Sequence, residues 1–563
     1  MSYKYKVSEI IYEELKNDLS QEEIYDLLEK PKQDEHGDIA FPTFQLARIF
    51  RKNPNEIAAE LASKFNAPLI DDVKNVGPYV NFYLNRKMVS ESVIKTVLDE
   101  GSNYGDHNVG KGQNVPIDLS SPNIAKPMSM GHLRSTVIGN AISNIIEKMG
   151  FNPIKINHLG DWGTQFGKLI YAYQQWGDED AMNEDPIKEL LRIYVKFHDE
   201  ADKDPELEDQ GRLWFSKLEN GDEKAAELWK RFREYSLREF NKTYERLNLE
   251  FDSSNGEAFY NDKMHETIEL IEDSGVLIED QGAMIIDLEK YDLNPALIKK
   301  KDGSTLYITR DIAAALYRKK TYDFAEALYV VGQEQANHFK QLKGVLKELG
   351  YDWADDIHHI GFGLITKDGQ KLSTRKGKVI LLEDVLNEAA DRALEQINAK
   401  NPDLENKEAI ADQVGVGAVV FHDLKNDPMN NFDFTIDEVV QFEGETGPYV
   451  QYTRVRALSI LEKAEFDLEN INIDGLTDEY SWKVVKLIED FPNVIERAYY
   501  NYDPSVIAKY VINLAQAFNK FYANIHVLDK DDERESRLAL VKAVEVLIKI
   551  NLEILGISTP TEM

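Results

Sequence analysis

The chain has 563 residues, of which 42% are hydrophobic and 10% aromatic, enough for several buried cores. This composition excludes disordered, collagen-like and low-complexity proteins. Lys and Arg number 66 against 100 Asp and Glu, and the net charge of −34 excludes a uniform basic coat but not a local basic groove. There is no cysteine, which excludes disulfides, cysteine zinc sites, iron–sulfur clusters and thiol catalysis.

The N-terminal residues carry charges every few positions and lack the apolar core of a signal peptide. No apolar stretch approaches the roughly 20 residues that a membrane span needs. We therefore expect a cytoplasmic protein without a membrane partner. The length suggests three or four domains, at roughly 150 residues per domain.

Residues 1–110 are predicted to form an N-terminal α/β domain. Helical spacing covers residues 7–28 and 55–65, and a strand pattern covers residues 76–84. A Gly- and Asn-rich stretch at 101–114 ends this domain.

Residues 111–380 are predicted to form a Rossmann-like α/β domain with a parallel sheet. Strand 115–120, a loop, a helix with an apolar stripe from Leu133 to Met149, and strand 153–159 make a βαβ unit. A charged, mostly helical insertion is expected at about 177–280. The α/β alternation then resumes in the segments 283–288, 305–317, 327–331 and 357–365.

Beyond residue 380 the periodicity is almost entirely helical. Residues 381–445 are predicted to form a helical linker or stem, and residues 446–563 an all-α helical bundle domain. Two glycine motifs are interpreted as structural: residues 105–112 resemble a phosphate loop but precede no helix, and Gly415-Val-Gly417 lies in a helical region, which favours core packing.

The strongest chemical signal is the segment from Ser120 to Thr136, SSPNIAKPMSMGHLRST, at the carboxyl end of the first strand of the βαβ unit. Parallel sheets bind ligands at this edge, and the N-terminus of the following helix favours anions. Gly131 permits close approach of a nucleotide, His132 in the first helical turn can reach a phosphate, and Lys126 adds a movable positive charge.

A second signal is the segment 371–378, KLSTRKGK, which has four cations and two hydroxyls in eight residues. Either segment alone could be a solvated basic turn. Together in one α/β fold they indicate a site that binds a polyphosphate.

These segments resemble the HIGH motif and the KMSKS loop of class I aminoacyl-tRNA synthetases, and the full pattern is similar to the arginyl-tRNA synthetase family. The resemblance covers nearly the whole chain and includes NHLGDWGTQFG, YITRDIA and VGQEQANHF. The HIGH-like motif comprises Ser121, Pro122, Asn123, Ile124, Ala125, Lys126, Pro127, Met128, Ser129, Met130, Gly131 and His132. Ser129 replaces the first histidine, and Thr374 replaces the second lysine of KMSKS, whose charge could come from Lys371, Arg375, Lys376 or Lys126.

The resemblance implies ATP, as its Mg²⁺ complex, as a substrate, and we expect no structural metal in the protein. Catalysis by positioning and charge is assigned to Lys126, Gly131, His132, Lys371, Ser373 and Arg375. ATP binding is assigned to Gly131, His132, His338, Lys371 and Ser373. Arginine binding is assigned to Asp118, Asn123, Ser129, Tyr307, Asp311 and Gln335.

Asp311 is the main candidate for the guanidinium, which presents only donors and therefore needs carboxylates. We expect Thr309 to cap a helix that starts near Arg310, with Tyr307 at the end of the preceding strand. The family further implies tRNA for arginine as a partner, with contacts from the N-terminal and C-terminal domains, activation that requires tRNA, and a monomer. Hydrogen-bonded discrimination is sufficient without proofreading, so no editing domain is expected.

Two rival functions remain open. A synthetase for glutamate or glutamine would want a cation in its side-chain pocket, where this chain has Asp118 and Asp311. A tRNA-binding paralogue without activity is permitted by Ser129 and Thr374. It is disfavoured by the intact residues Gly131, His132, Asp311 and Gln335.

Overall fold

The computed structural model describes residues 2–301, 307–367, 370–371, 374–375, 378–468 and 471–563. The chain divides into two compact units. The first comprises Met1–Tyr104, Arg456–Asn493 and Asn513–Ile548, and the second comprises Gly105–Val455, Val494–Ile512 and Lys549–Met563. Within the described ranges, no helix combines the length and the apolar character needed to cross a membrane.

The first unit begins with a small antiparallel sheet and its helices. In chain order these are α1 (Tyr3–Leu15), α2 (Gln21–Leu27), β1 (Ile39–Pro42), α3 (Phe44–Phe50), α4 (Pro54–Ala62), β2 (Ile70–Val76), β3 (Tyr79–Leu84) and α5 (Arg86–Glu100). The strand order is β1-β3-β2. The helical spacing at 7–28 corresponds to two helices, because Ser20 and Glu23 form a capping box that starts α2.

The second unit contains most of the remaining elements. They are β4 (Asn114–Asp118), α6 (Met130–Lys148), β5 (Asn152–Ile156), α7 (Thr164–Trp176), α8 (Glu179–Glu184), α9 (Pro186–Ala201), α10 (Glu206–Glu219), α11 (Glu223–Arg246), α12 (Met264–Asp273), β6 (Leu277–Asp280), β7 (Ala283–Ile286), β8 (Ala296–Lys299), α13 (Tyr307–Tyr322), β9 (Ala327–Val330), α14 (Ala336–Glu348), β10 (Ile357–Ile360), β11 (Ile365–Lys367), β12 (Gln370–Lys371), β13 (Thr374–Arg375), β14 (Lys378–Val379), α15 (Leu382–Lys400), α16 (Lys407–Leu424), β15 (Phe432–Asp433) and α17 (Ile436–Val439). Four helices follow, α18 (Gly447–Lys463), α19 (Glu479–Asn501), α20 (Ser505–Asn524) and α21 (Arg534–Ile554).

A four-stranded parallel sheet forms the centre of the second unit, in the order β10-β9-β4-β5. Strand β9 is a fully buried apolar run, as expected where helices cover both faces of a parallel sheet. Helix α6 buries Leu133, Ile138 and Ile142 against it, and Gly150 follows the helix with φ +84. The predicted βαβ unit and parallel sheet are confirmed.

Two predicted elements are corrected. The strand predicted at 283–288 is not part of the parallel sheet: β6, β7 and β8 form a separate antiparallel sheet, with a hairpin at Gln281 and Gly282, both at positive φ. Helix α13 begins at Tyr307 and not near Arg310, so Tyr307 does not end a strand. Thr309 is buried, and its Oγ1 donates to the carbonyl of Ile298 in β8.

The two glycine motifs have the predicted structural roles. Residues 105–112 lie outside any helix, and β4 follows Gly112. Gly415 is buried in α16, where a Cβ atom would lie 2.4 Å from the backbone nitrogen of Ala390 in α15. Gly415 therefore permits the two helices to pack closely.

Candidate active site

The loop that connects β4 to α6 lies at the carboxyl edge of the parallel sheet. Ser120, Ser121 and Ala125 adopt φ values of +67, +53 and +63, which L-residues rarely adopt. The amide of Ser120 donates to Oγ of Ser135 (3.0 Å), and the amide of Ala125 donates to Oγ of Ser236 in α11 (2.9 Å). Buried hydroxyl groups thus hold the loop in a strained conformation, as is common at binding sites.

The residues that follow the second basic segment pair with the start of α6. The amide of Met130 donates to the carbonyl of Ile380 (3.0 Å), and the amide of Leu382 donates to the carbonyl of Met128 (3.0 Å). The end of the 371–378 segment therefore adjoins the start of α6. Ser373 and the side chains of Lys371 and Arg375 lie outside the described residues, so their assigned roles stay predictions.

His132 has a defined tautomer. Its Nδ1 accepts the amide hydrogen of Ser129 (3.0 Å), so the neutral ring carries its proton on Nε2. Burial lowers the pKa of His132. At neutral pH His132 is therefore an uncharged donor at the N-terminus of α6, next to the exposed Gly131.

Asp118 is buried and already engaged. Its Oδ2 accepts from Nη2 of Arg318 (2.9 Å), and its Oδ1 accepts from Oγ of Ser121 (2.9 Å). Arg318 is itself buried, with its side chain 2% exposed, and it also lies 3.5 Å from Nδ1 of His158. Desolvation lowers the pKa of His158, so this imidazole is neutral beside the ion pair. Asp118 thus lies on the first strand of the βαβ unit, and its carboxylate is already paired with Arg318 of the same chain.

Asp311 lies in the second turn of α13 and is partly exposed. Its Oδ2 is 2.5 Å from Nε2 of His338 in α14, which joins two residues that the sequence assigned separately. Asp311 also acts electrostatically on His158 and so lies in the same region as Asp118. The side chain of Tyr307 lies outside the described residues.

The remaining predicted substrate residues border the same edge of the sheet. Asn123 forms a bridge with Gly160 after β5, and its Oδ1 would lie 1.9 Å from a Cβ at that glycine. Gln335 is exposed in a short 3₁₀ turn that follows β9. Ser129 is the N-cap residue of α6 and contacts His132. No contact between these side chains and a substrate is defined, so their roles stay predictions.

Glu257 is a further acidic residue at this edge, which sequence analysis missed. The amide of Glu257 donates to the carbonyl of Leu159 (3.0 Å), and its carboxylate accepts from the amide of Trp162. Burial raises its pKa to about 7, and Arg310 opposes this, while Asp161 and Asp311 raise the pKa further. Among the described residues, neither Glu257 nor Asp311 forms an ion pair with Lys or Arg.

Glu257 is held in place because its segment packs closely on the loop after β5. Gly256 has no room for a Cβ, which would lie 2.4 Å from the carbonyl oxygen of Leu159. The amide of Ala258 donates to Oδ1 of Asp161 (2.8 Å), whose other oxygen pairs with Arg233. The sequence therefore indicated the position of Glu257 only by the glycine before it, in a segment that has neither helical nor strand periodicity.

Metal ligands do not cluster in the described part of the chain. No group of three or more His, Asp or Glu side chains there is arranged to hold a metal ion.

Family comparisons agree with this architecture. The model described as "tRNA synthetases class I (R), catalytic domain" matches residues 93–436. "Arginyl tRNA synthetase N terminal domain" matches residues 5–84, and "DALR anticodon binding domain" matches residues 450–563.

Curated relatives and solved structures are similar over the whole length. Arginine–tRNA ligases of Enterococcus faecalis and Ligilactobacillus salivarius are 61% and 58% identical, each over 100% of both chains. Arginyl-tRNA synthetase of Thermus thermophilus has a TM-score of 0.81 at 24% identity over 100% of both chains, which indicates the same fold. The chain therefore belongs to the class I arginyl-tRNA synthetase family.

Proposed function

We propose that this chain ligates arginine to tRNA in two steps. The carboxylate of arginine attacks the α-phosphate of ATP to give arginyl-adenylate and pyrophosphate, and the arginyl group is then transferred to the terminal ribose of tRNA. Neither step requires a protein nucleophile, so the chain contributes positioning and electrostatic stabilisation.

The triphosphate occupies the N-terminus of α6 in this proposal. The Nε2–H of His132 donates to a phosphate oxygen, and Gly131 leaves room for the nucleotide. Lys126 and the 371–378 segment, with Lys371, Ser373 and Arg375, supply charge and hydrogen bonds. Mg²⁺ is expected to arrive bound to ATP, which is its usual mode with nucleotides.

The arginine side chain occupies the acidic end of the cleft. The observation that carries this assignment is the pair Asp311 and Glu257, two neighbouring carboxylates; within the described residues neither forms an ion pair with Lys or Arg, although Arg310 acts electrostatically on Glu257. A guanidinium has five donors and no acceptor, so two carboxylates around one fork satisfy it better than one. Asn123, Gln335, Tyr307 and Ser129 are assigned to the rest of the substrate.

Asp118 has a different part in this proposal. Since Arg318 neutralises it, Asp118 contributes to the pocket mainly by fixing Arg318, His158 and Ser121. A direct contact with the α-ammonium group of arginine would use the lone pairs that these partners leave open.

Contacts to tRNA need local cationic and aromatic surface, since the net charge is −34. In the N-terminal part, Phe44 and Phe50 are exposed on α3, 50% and 38%, beside Arg48 and Arg51. Aromatic and arginine side chains stack on unpaired bases. We assign tRNA contact to this face, in the part of the chain that matches the N-terminal family domain.

The C-terminal helices expose fewer aromatic and basic side chains to RNA than their sequence contains. Phe518 and Phe521 are fully buried. Arg454 is also buried, with its guanidinium on the carbonyls of Thr559 and Pro560, so it is not available to RNA. Tyr522, 43% exposed, and Arg456 above its ring form a better candidate for an anticodon base.

The decisive experiment is ATP–pyrophosphate exchange with each of the twenty amino acids, with and without tRNA. We expect exchange with arginine alone, dependent on tRNA, and no hydrolytic editing of arginyl-tRNA. Exchange with glutamate or glutamine would refute the arginine assignment, and no exchange under any condition would favour the inactive tRNA-binding paralogue. Sedimentation of the free enzyme would test the expected monomer, and cell fractionation the expected cytoplasmic location.

A further inference from the structure

The helical insertion contacts the lysine of the HIGH-like motif. Nζ of Lys126 lies 5.4 Å from the centre of the Tyr194 ring, within the range of a cation–π interaction. Among the described residues, Lys126 makes no ion pair and no side-chain hydrogen bond. The Tyr194 ring thus contacts the Lys126 ammonium group, whose N–H donors are left available to a phosphate.

Both ends of this contact are held by the fold. The amide of Ala125 donates to Oγ of Ser236, which is fully buried in α11 and donates to the carbonyl of Phe232. The backbone before Lys126 is therefore attached to the insertion. A flexible lysine that starts from a fixed backbone and ends on an aromatic face loses much of its freedom before ATP binds.

Tyr194 is positioned by its helix. Helix α9 buries Leu190, Ile193 and Phe197 on its inner face, and Tyr194 lies half-buried on the flank. The ring of His198 packs edge-on against Tyr194, with centroids 4.7 Å apart. The aromatic face is thereby fixed while its edge stays near solvent.

We propose that Tyr194 is a positioning residue that keeps the Lys126 ammonium at the triphosphate end of the cleft. An aromatic face attracts a cation without neutralising it, whereas a carboxylate would compete with the phosphates. The three N–H groups of the ammonium leave donors free for phosphate oxygens while the ring contact persists. The inference rests on the proposed role of Lys126 in activation.

The test is a double-mutant cycle in arginine-dependent pyrophosphate exchange. We expect Tyr194→Leu to lower kcat by about two- to fivefold, the rate equivalent of a partly exposed cation–π contact, with little change in the arginine KM. Tyr194→Phe retains the ring and should stay within about twofold of the wild type. In a Lys126→Met background, Tyr194→Leu should have no further effect.

A matched control tests whether any cation–π contact in the insertion matters. Arg238 lies 4.8 Å from the ring of Tyr235 in α11, and Tyr235→Leu should leave exchange unchanged. An unchanged or raised rate in Tyr194→Leu, or an equal loss in both Lys126 backgrounds, would overturn the inference. If instead the wild type fails to exchange with arginine, the proposed function fails first; if Lys126→Met exchanges normally, the role of Lys126 fails.

Discussion

The raised pKa of Glu257 predicts that arginine binding depends on pH. Glu257 must be ionised to pair with a guanidinium, and burial raises its pKa to about 7 in the free protein. The fraction ionised is then about one-tenth at pH 6, one-half at pH 7 and nine-tenths at pH 8. Arginine itself stays cationic across this range, so the change comes from the protein.

The sign follows from linkage. Because a cationic ligand binds the ionised form of Glu257, its affinity falls as pH decreases through the pKa of that carboxyl and rises as pH increases through it. If binding requires the ionised form, the arginine KM should fall about fivefold from pH 6 to pH 7 and about twofold more by pH 8. The ATP KM should not follow this pattern.

The assay is tRNA-dependent pyrophosphate exchange at saturating ATP between pH 6 and pH 8. In Glu257→Gln, which cannot ionise, the arginine KM should be higher at pH 8 and nearly constant with pH. His338→Asn serves as the control for titration of the imidazole that contacts Asp311. A pH dependence that persists unchanged in Glu257→Gln would refute the placement of Glu257 in the pocket.

Three further substitutions test the site and its supports. Asp311→Asn should lower kcat/KM for arginine about 10- to 100-fold, because it removes a charged acceptor from the guanidinium; unchanged kinetics would exclude Asp311 from the pocket. Arg134→Met should lower the free energy of unfolding by about 3–5 kcal/mol, since it leaves the buried Asp423 unpaired, and Arg134→Met with Asp423→Leu should recover much of the loss in urea denaturation. Gly415→Ala should cost about 1–3 kcal/mol in the same measurement, because its Cβ would meet the backbone of α15; Gly417→Ala, with 3.0 Å to flexible side chains, should cost less.

Local signals predicted the centre of the fold. The apolar stripe of α6 and the strand after Gly150 follow from periods of about 3.6 and 2 residues, which a single sequence displays. The position of His132 at the N-terminus of α6 follows from the same pattern. These features depend on residues that lie close together in the sequence.

The missed features depend on distant partners. Asp118 is neutralised by Arg318, 200 residues later in the chain, and no local pattern near either residue indicates the other. Glu257 lies at this edge of the sheet because the amide of Glu257 bonds to the loop after β5. The pattern at 283–288 did not show that this strand belongs to a separate antiparallel sheet, because strand patterns alone do not identify the partner strand.

The pairing of Asp118 with Arg318 also explains how one pocket can select a fork-shaped cation. Three mutually close carboxylates would repel one another, and some would be protonated at neutral pH. Arg318 neutralises the carboxylate of Asp118, which then no longer repels the other two. The neutral His158 adds no charge. In the proposed pocket Asp311 and Glu257 then remain. A guanidinium would donate to both, whereas the ammonium of lysine is a compact point charge that would leave one carboxylate poorly paired. Selectivity for arginine would therefore arise in the first binding step, which removes the need for a second hydrolytic site.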